Sequence, residues 1–389
     1  MKTTSICMDW WNNFKCTGAG CPLTCCDTSW SISLTEKELA RYEAMEHPFR
    51  ETVLSAIDRE NLRMQGPDGK CSLLTQEGWC RLVQECGEEY LCFTCTAFPR
   101  EMRRYEDVIE RTVGIACPVV AGYLLREMPI AFYEVESEEP EAQTKTDRVL
   151  YEILSGIRAE LIKMIQDSPC ENAVGKLYSI LSTMNGLREE MRSGMALKAE
   201  KTGQIFRTYR ELAEQSGLLQ AMVESTEQYD AKALLLQKFL KELWPESGRL
   251  LVKGWGADEV TLKEDILCWL ADNKKLEETL AGFLSYYRSN FPMLFDNYMI
   301  YALFSNWITM QPEHFGEDLE ARCMELIFIQ IAAMSLWSRN KEIKTTEYEV
   351  LISKMDRKFF HTDKKAALYD KLKAKGLCST ELFLMLAIW

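Results

Sequence analysis

Histidine is scarce in this chain, with three in 389 residues. A Ser/His/Asp triad therefore has little to draw on, and a histidine-rich metal site is ruled out. Long apolar runs are also missing. The longest, Leu326–Ala333 and Leu382–Trp389, fall well short of the ~20 residues that span a bilayer. The first ten residues carry one lysine and turn polar quickly, without the apolar core of a signal peptide. The expectation is a cytoplasmic protein with no membrane partner. Basic runs are missing too. Lys371–Leu372–Lys373–Ala374–Lys375 is the nearest to one, and the net charge is −13. Nucleic-acid binders draw most of their affinity from neutralised phosphates, so that class is disfavoured. Gly254–Trp255–Gly256 lacks the third glycine and the strand context of a dinucleotide loop.

Cysteine is abundant. Of fifteen, eleven fall between Cys7 and Cys117, and Cys170, Cys268, Cys323 and Cys378 sit singly over the rest of the chain and read as small structural residues. In a reducing compartment a dense cluster reads as metal-binding or catalytic before it reads as disulfides. The cluster runs Cys16-x4-Cys21-x3-Cys25-Cys26, then Cys71, Cys80, Cys86, Cys92-x2-Cys95 and Cys117. Soft thiolates at such intervals suit zinc or an iron–sulfur cluster. Cys16, Cys21, Cys25, Cys26, Cys71, Cys80, Cys95 and Cys117 are the candidate metal ligands. Cys7, Cys86 and Cys92 lie outside the cleaner spacing and read as core or spare thiols, and His47 reads as a surface helix end. The Cys-x3-Cys-x2-Cys signature of radical enzymes fails, because Thr28 stands at its third position.

Periodicity predicts a mainly α protein: a loop-rich, metal-binding cysteine domain with a small β element over residues 1–133, an acidic linker over 134–146, and a helical domain over 147–389. Trp30–Leu34 alternates like a short strand. Thr35 and Glu38 form a capping box opening a helix through Met45. Residues 78–98 read as an interrupted helix and 103–115 as a hairpin, with Pro118 opening another helix. Stripes at three-and-four spacing run through 150–165, 234–243, 262–270, 276–287, 295–307 and 319–337.

Several of these residues carry a resemblance to a known family. Phe14–Lys15–Cys16, Cys21, Cys25–Cys26, Trp30, Gly78 with Cys80, Gly87–Cys92 with Cys95, Phe98–Pro99–Arg100, Glu110–Arg111 and Cys117–Pro118 are its dense part. Asp296–Tyr301 with Phe304, and Met355–Asp356–Arg357 with His361, are its diffuse part. At these positions the chain resembles the flagellin lysine-N-methylase family, often called FliB. Its cysteine part also resembles a wider family of zinc- or iron-chelating cysteine-cluster proteins. The first resemblance implies methyl transfer from S-adenosylmethionine to flagellin lysines, with a [4Fe–4S] cluster as cofactor and zinc as the alternative. Methyl transfer needs a neutral amine, so a base or a desolvating pocket is required. Glu88, Glu89, Tyr90 and Glu110 are the candidate catalytic residues, lying beside the cysteine motif, and the helices near Asn297 and Tyr298 are a candidate surface for holding flagellin. A non-catalytic metal chelator and a zinc-stabilised interaction scaffold are the competing readings.

Overall fold

The computed structural model describes residues 2–26, 32–66, 70–138, 147–169, 171–193, 197–215, 228–252, 258–309, 314–360 and 365–386. Thr28, Trp30, residues 67–69, Cys170 and His361 lie outside them. Helices dominate, as the periodicity predicts.

The largest β element is a four-stranded sheet ordered Arg100–Tyr105, Val108–Val113, Lys2–Met8, Phe132–Glu138. Arg100–Tyr105 and Val108–Val113 form the expected hairpin, turning through Glu106 in a left-handed conformation. Lys2–Met8 runs parallel to Val108–Val113 and antiparallel to Phe132–Glu138. The expected linker is therefore corrected at its start: residues 134–138 are an edge strand, and 139–146 fall outside the described residues. The reason is physical. Glutamates at an edge strand's solvated positions discourage stray pairing and look, in composition, like a linker.

The sheet packs on the helices. Met8, Trp10, Val113, Ile115, Cys117 and Val120 share one continuous core with helix residues such as Leu154, Leu161, Leu303 and Ile327. A smaller, separate core gathers Ile32, Leu34, Tyr42, Phe49, Val53, Ile57, Met64, Leu73, Leu82 and Cys92. Residues 1–133 thus divide: the strands belong to the helical body, and the segment from about 32 to 95 is a satellite on it. In the satellite, a three-stranded sheet orders Ile32–Ser33, Arg63–Met64 and Ile57–Asp58. The Glu36–Glu43 helix starts at the predicted capping box, with Glu38 N donating to Thr35 Oγ1 at 3.2 Å and Thr35 N to Glu38 Oε2 at 2.8 Å.

In the body, capping side chains fix several helix starts. Asp147, Asn172, Asp272 and Ser379 each accept a backbone N–H three residues on. The Leu294–Asn306 and Glu317–Asn340 helices are buried on nearly every side and lie at the centre, the second carrying buried polar residues among its apolar ones. Asn297 in the first of them is fully buried. Its Nδ2 donates to the carbonyls of Leu124, Arg126 and Met128 at 3.2–3.3 Å, and its Oδ1 accepts from Ile130 N at 3.1 Å. It latches the 124–130 segment onto the body. Asn297 and Tyr298 face the core and cannot form the flagellin-holding surface expected of them.

Tyr298 belongs to a buried polar network. Its hydroxyl donates to Glu325 Oε2 at 2.6 Å, and Arg322 Nη1 reaches Glu325 Oε2 at 2.7 Å and also Asp356. Two carboxylates share one guanidinium, and Glu325 Oε1 is buried without a hydrogen-bond partner among the described residues. Burial pushes Glu325 up to about 7, against the pull of Arg322, while Asp356 pushes the same way as burial. A carboxyl raised from its ordinary 4.5 favours the folded state in its protonated form. That contribution is complete below pH ~4.5 and is lost as pH rises through ~7. Glu325→Gln should therefore remove a decline in stability of about 1 kcal/mol per pH unit at its steepest between those limits. Denaturant unfolding of both proteins across pH 5–8 tests this. Parallel curves for the two proteins would refute it.

Candidate cysteine centre

The cysteine loops have little regular structure, so specific contacts must hold them. Cys71 N donates to Cys26 O at 2.9 Å, joining the first loop to the second. Gly18 has φ +54°, and a Cβ there would lie 2.9 Å from the Trp79 ring. Glycine is therefore required both for the backbone and for the close approach. Trp79 lies over the Cys16–Cys21 turn, and Gly78, at φ +86°, turns the chain toward Cys80. The expected helix over 78–98 is interrupted as foreseen, into Arg81–Cys86, a Glu88–Tyr90 turn and Phe93–Ala97. Tyr42 Oη donates to Tyr90 O at 2.8 Å, and Arg41 Nη2 donates to Tyr90 O and Leu91 O at 3.1 and 2.9 Å. Phe93 N donates to Glu38 Oε1 at 2.6 Å. Together these contacts set the position of Cys92 and Cys95.

Nine thiols form a connected electrostatic set. Cys26 senses Cys25, Cys71 and Cys80; Cys71 senses Cys80, Cys92 and Cys25; Cys95 senses Cys92, Cys26 and Cys25. Cys21 senses Cys25 and Cys16, and Cys117 senses Cys21 and Cys16. The eight candidate ligands are therefore brought into one region, and Cys92, set aside as a spare, joins them. Its signal was the Cys-x2-Cys spacing to Cys95. Among the described residues, no three side chains stand close enough to hold a single metal ion.

Cys25 and Cys26 share a hydrogen bond, as do Cys92 and Cys95. In each pair the acceptor is drawn down to about 7 (Cys25, Cys92), while its partner is pushed up by that bond and by burial. Burial raises Cys21 and Cys71, and Cys117 to about 11. Cys7 and Cys86 stand apart: Cys7 is buried in the sheet beside Tyr133, and Cys86 Sγ lies 3.5 Å from His47 Nδ1.

The candidate catalytic residues separate. Glu88 and Glu89 are exposed, and Tyr90 is half-buried in the turn leading to Cys92. Glu110 is elsewhere. It is 2% exposed in the sheet, gripped by Arg158 from the Arg148–Asp167 helix, with Tyr151 Oη at 3.1 Å. Arg357, which the sequence offered only as part of the diffuse resemblance and not as a site residue, comes from the Thr345–Phe360 helix, hydrogen-bonds the Cys21–Cys25 and Cys117 loops and has Cys25, Cys117 and Cys21 as electrostatic neighbours.

A family model described as the FliB lysine N-methylase C-terminal domain matches residues 158–386. The flagellar biosynthetic protein FliU of Salmonella muenchen is 25% identical over 124 residues, 30% of this chain and 73% of that protein. Lysine-N-methylases of Salmonella choleraesuis and Salmonella typhimurium are each 25% identical, over 30% and 29% of this chain and 31% and 30% of their own lengths. The match thus spans less than a third of those two methylases. No solved structure matches.

The pairing of Glu110 with Arg158 sets a test of what Glu110 does. Arg158→Met should cost about 3–5 kcal/mol, because it leaves a buried carboxylate unpaired. The double replacement Arg158→Met with Glu110→Leu should recover much of that loss. Denaturant midpoints measure both. A cost under about 1 kcal/mol for the single variant would show that the pair does not hold the sheet to the helices.

Proposed function

We infer that this chain, which belongs to the FliB lysine N-methylase family, methylates lysine side chains of flagellin, with S-adenosylmethionine as donor and a thiolate-held [4Fe–4S] cluster as resident cofactor. The observation that carries this reading is the match of the C-terminal family domain over residues 158–386. It is supported by relatives named lysine-N-methylase and flagellar biosynthetic protein, and by the gathering of thiols in the half of the chain outside that domain.

The donor set fits such a cluster by its chemistry. The gathered groups are free thiols, and two of them are drawn down toward thiolate near neutral pH. Glu38, beside Cys92, is the carboxylate among their electrostatic neighbours. Cys25, Cys26, Cys71, Cys80, Cys92 and Cys95 are the residues that would hold it. A bound cluster would supply a one-electron centre and a site of concentrated charge.

The chain's own residues have two tasks. A lysine ε-amine is protonated at neutral pH and must reach the donor neutral. The amine lone pair then forms the new C–N bond as the C–S bond breaks toward sulfur, and the nitrogen sheds a proton. Glu88 and Glu89, exposed on the turn that leads to Cys92, meet the incoming lysine and draw its charge toward the centre. Tyr42 and Arg41 keep that turn fixed through the Tyr90 and Leu91 carbonyls. Glu110, buried against Arg158, holds the fold.

Incubation of the anaerobically prepared chain with its own organism's flagellin and fresh donor should add methyl groups to lysines, read by mass spectrometry. The initial rate should fall as salt rises, since a chain of net charge −13 attracts lysine-rich faces by screened fields. Glu88→Gln with Glu89→Gln should raise KM more than it lowers kcat. Flagellin left unmodified by a metal-loaded preparation would overturn the reading.

A further inference from the structure

We propose that Arg357 is a positioning residue of the cysteine centre: a guanidinium fork that fixes the loops bearing Cys25 and Cys117 and sets the charge beside them. The proposal rests on the reading above, that the gathered thiols, Cys25 among them, hold a metal cluster, with Cys117 at its edge. Arg357 comes from the Thr345–Phe360 helix, more than 230 residues from the nearest of those loops in sequence. Its Nε donates to Ala116 O at 3.0 Å, Nη2 to Leu23 O at 3.0 Å and Nη1 to Thr24 O at 3.3 Å. Each acceptor is within two residues of a cysteine: Leu23 and Thr24 lie between Cys21 and Cys25, and Ala116 precedes Cys117. One planar side chain thus clamps two irregular loops of the centre.

The platform carrying the fork is rigid. One turn earlier, Ser353 Oγ donates to Ile115 O at 2.9 Å, and Tyr348 Oη donates to Gln330 Oε1 at 2.9 Å. The neighbouring Asp356 is engaged by the buried Arg322. The helix also packs along the Pro118–Tyr123 helix that Cys117 caps. Burying a guanidinium that gives three hydrogen bonds to carbonyls is justified only if a negative charge lies near it. Asp356 and Cys25, which is drawn toward thiolate, supply one, and the Cys21 and Cys117 sulfurs lie beside them. A cluster ligated by thiolates is anionic, so the fork stabilises it by position and by sign. Lysine keeps the sign but cannot span three carbonyls in a fixed plane.

The experiment compares wild type, Arg357→Lys and Arg357→Gln, each loaded anaerobically with iron and sulfide. Iron release to a chelator and the midpoint potential are the readouts. Arg357→Lys should release iron roughly tenfold faster, as residues behind first ligands typically do when changed, with its potential close to wild type. Arg357→Gln should release iron faster still and shift the potential negative, because the anionic oxidised and reduced forms lose a compensating charge. Arg357→Lys keeps the test open should Arg357→Gln not fold. Release rates and potentials equal to wild type in the folded variants would overturn the proposal. A wild-type protein that binds no iron would instead remove the metal reading itself, and this inference with it.

Discussion

Nine thiols linked one to the next as electrostatic neighbours cannot all ionise without a cation among them. The pairs show the constraint at its smallest scale. Cys25 and Cys92 approach thiolate chiefly through the hydrogen bonds that Cys26 and Cys95 give them, with Arg357 adding to the pull on Cys25. The centre is therefore stable as a set of shared protons or as a set of ligands, and the surrounding contacts hold it ready for either. Trp79 over Gly18, the Tyr42 and Arg41 clamp on Tyr90, and the Cys71–Cys26 hydrogen bond each fix a loop that has no helix or strand of its own. The satellite's apolar core is small, and a metal that binds only the folded state would add to its stability.

The helical body is more than a neighbour of this centre. It owns the large sheet, whose Val108–Val113 strand leads into Ile115, Ala116 and Cys117 at the centre's edge. Asn297 latches the segment that follows, Arg158 grips Glu110 in the sheet, and the helix bearing Asp356 and Arg357 links the buried Arg322 network to the cysteine loops. A change at the centre is thus mechanically connected to the body's core. The family domain matched over 158–386 contains the reaching arm, while the thiols lie outside it.

Much of this was legible in the sequence because it is local. Helical stripes, the Thr35 capping box, the hairpin around Glu106 and the candidate thiols all depend on residues a few positions apart. The failures have physical causes. Lys2–Met8 becomes a strand only because a hairpin a hundred residues later gives it a partner. Residues 134–138 were read as linker because their glutamates belong equally to a solvated edge strand. Asn297 and Tyr298 are polar residues whose burial is compensated by partners far along the chain, which no local pattern announces. Arg357 could not be assigned to the centre from spacing, since its carbonyl partners lie more than 230 residues away. Cys92, read as a core or spare thiol, does lie in the satellite core, and its spacing to Cys95 also brings it beside that thiol.

The proposed iron–sulfur cluster on the gathered thiols is what the rest depends on. Iron and acid-labile sulfide measured per chain, with an absorption spectrum of strictly anaerobic protein, decide it. A cluster there gives iron and sulfide in equal amounts and broad charge-transfer absorbance that bleaches on reduction. Stoichiometric zinc, with neither iron nor sulfide even after anaerobic reconstitution, would refute it.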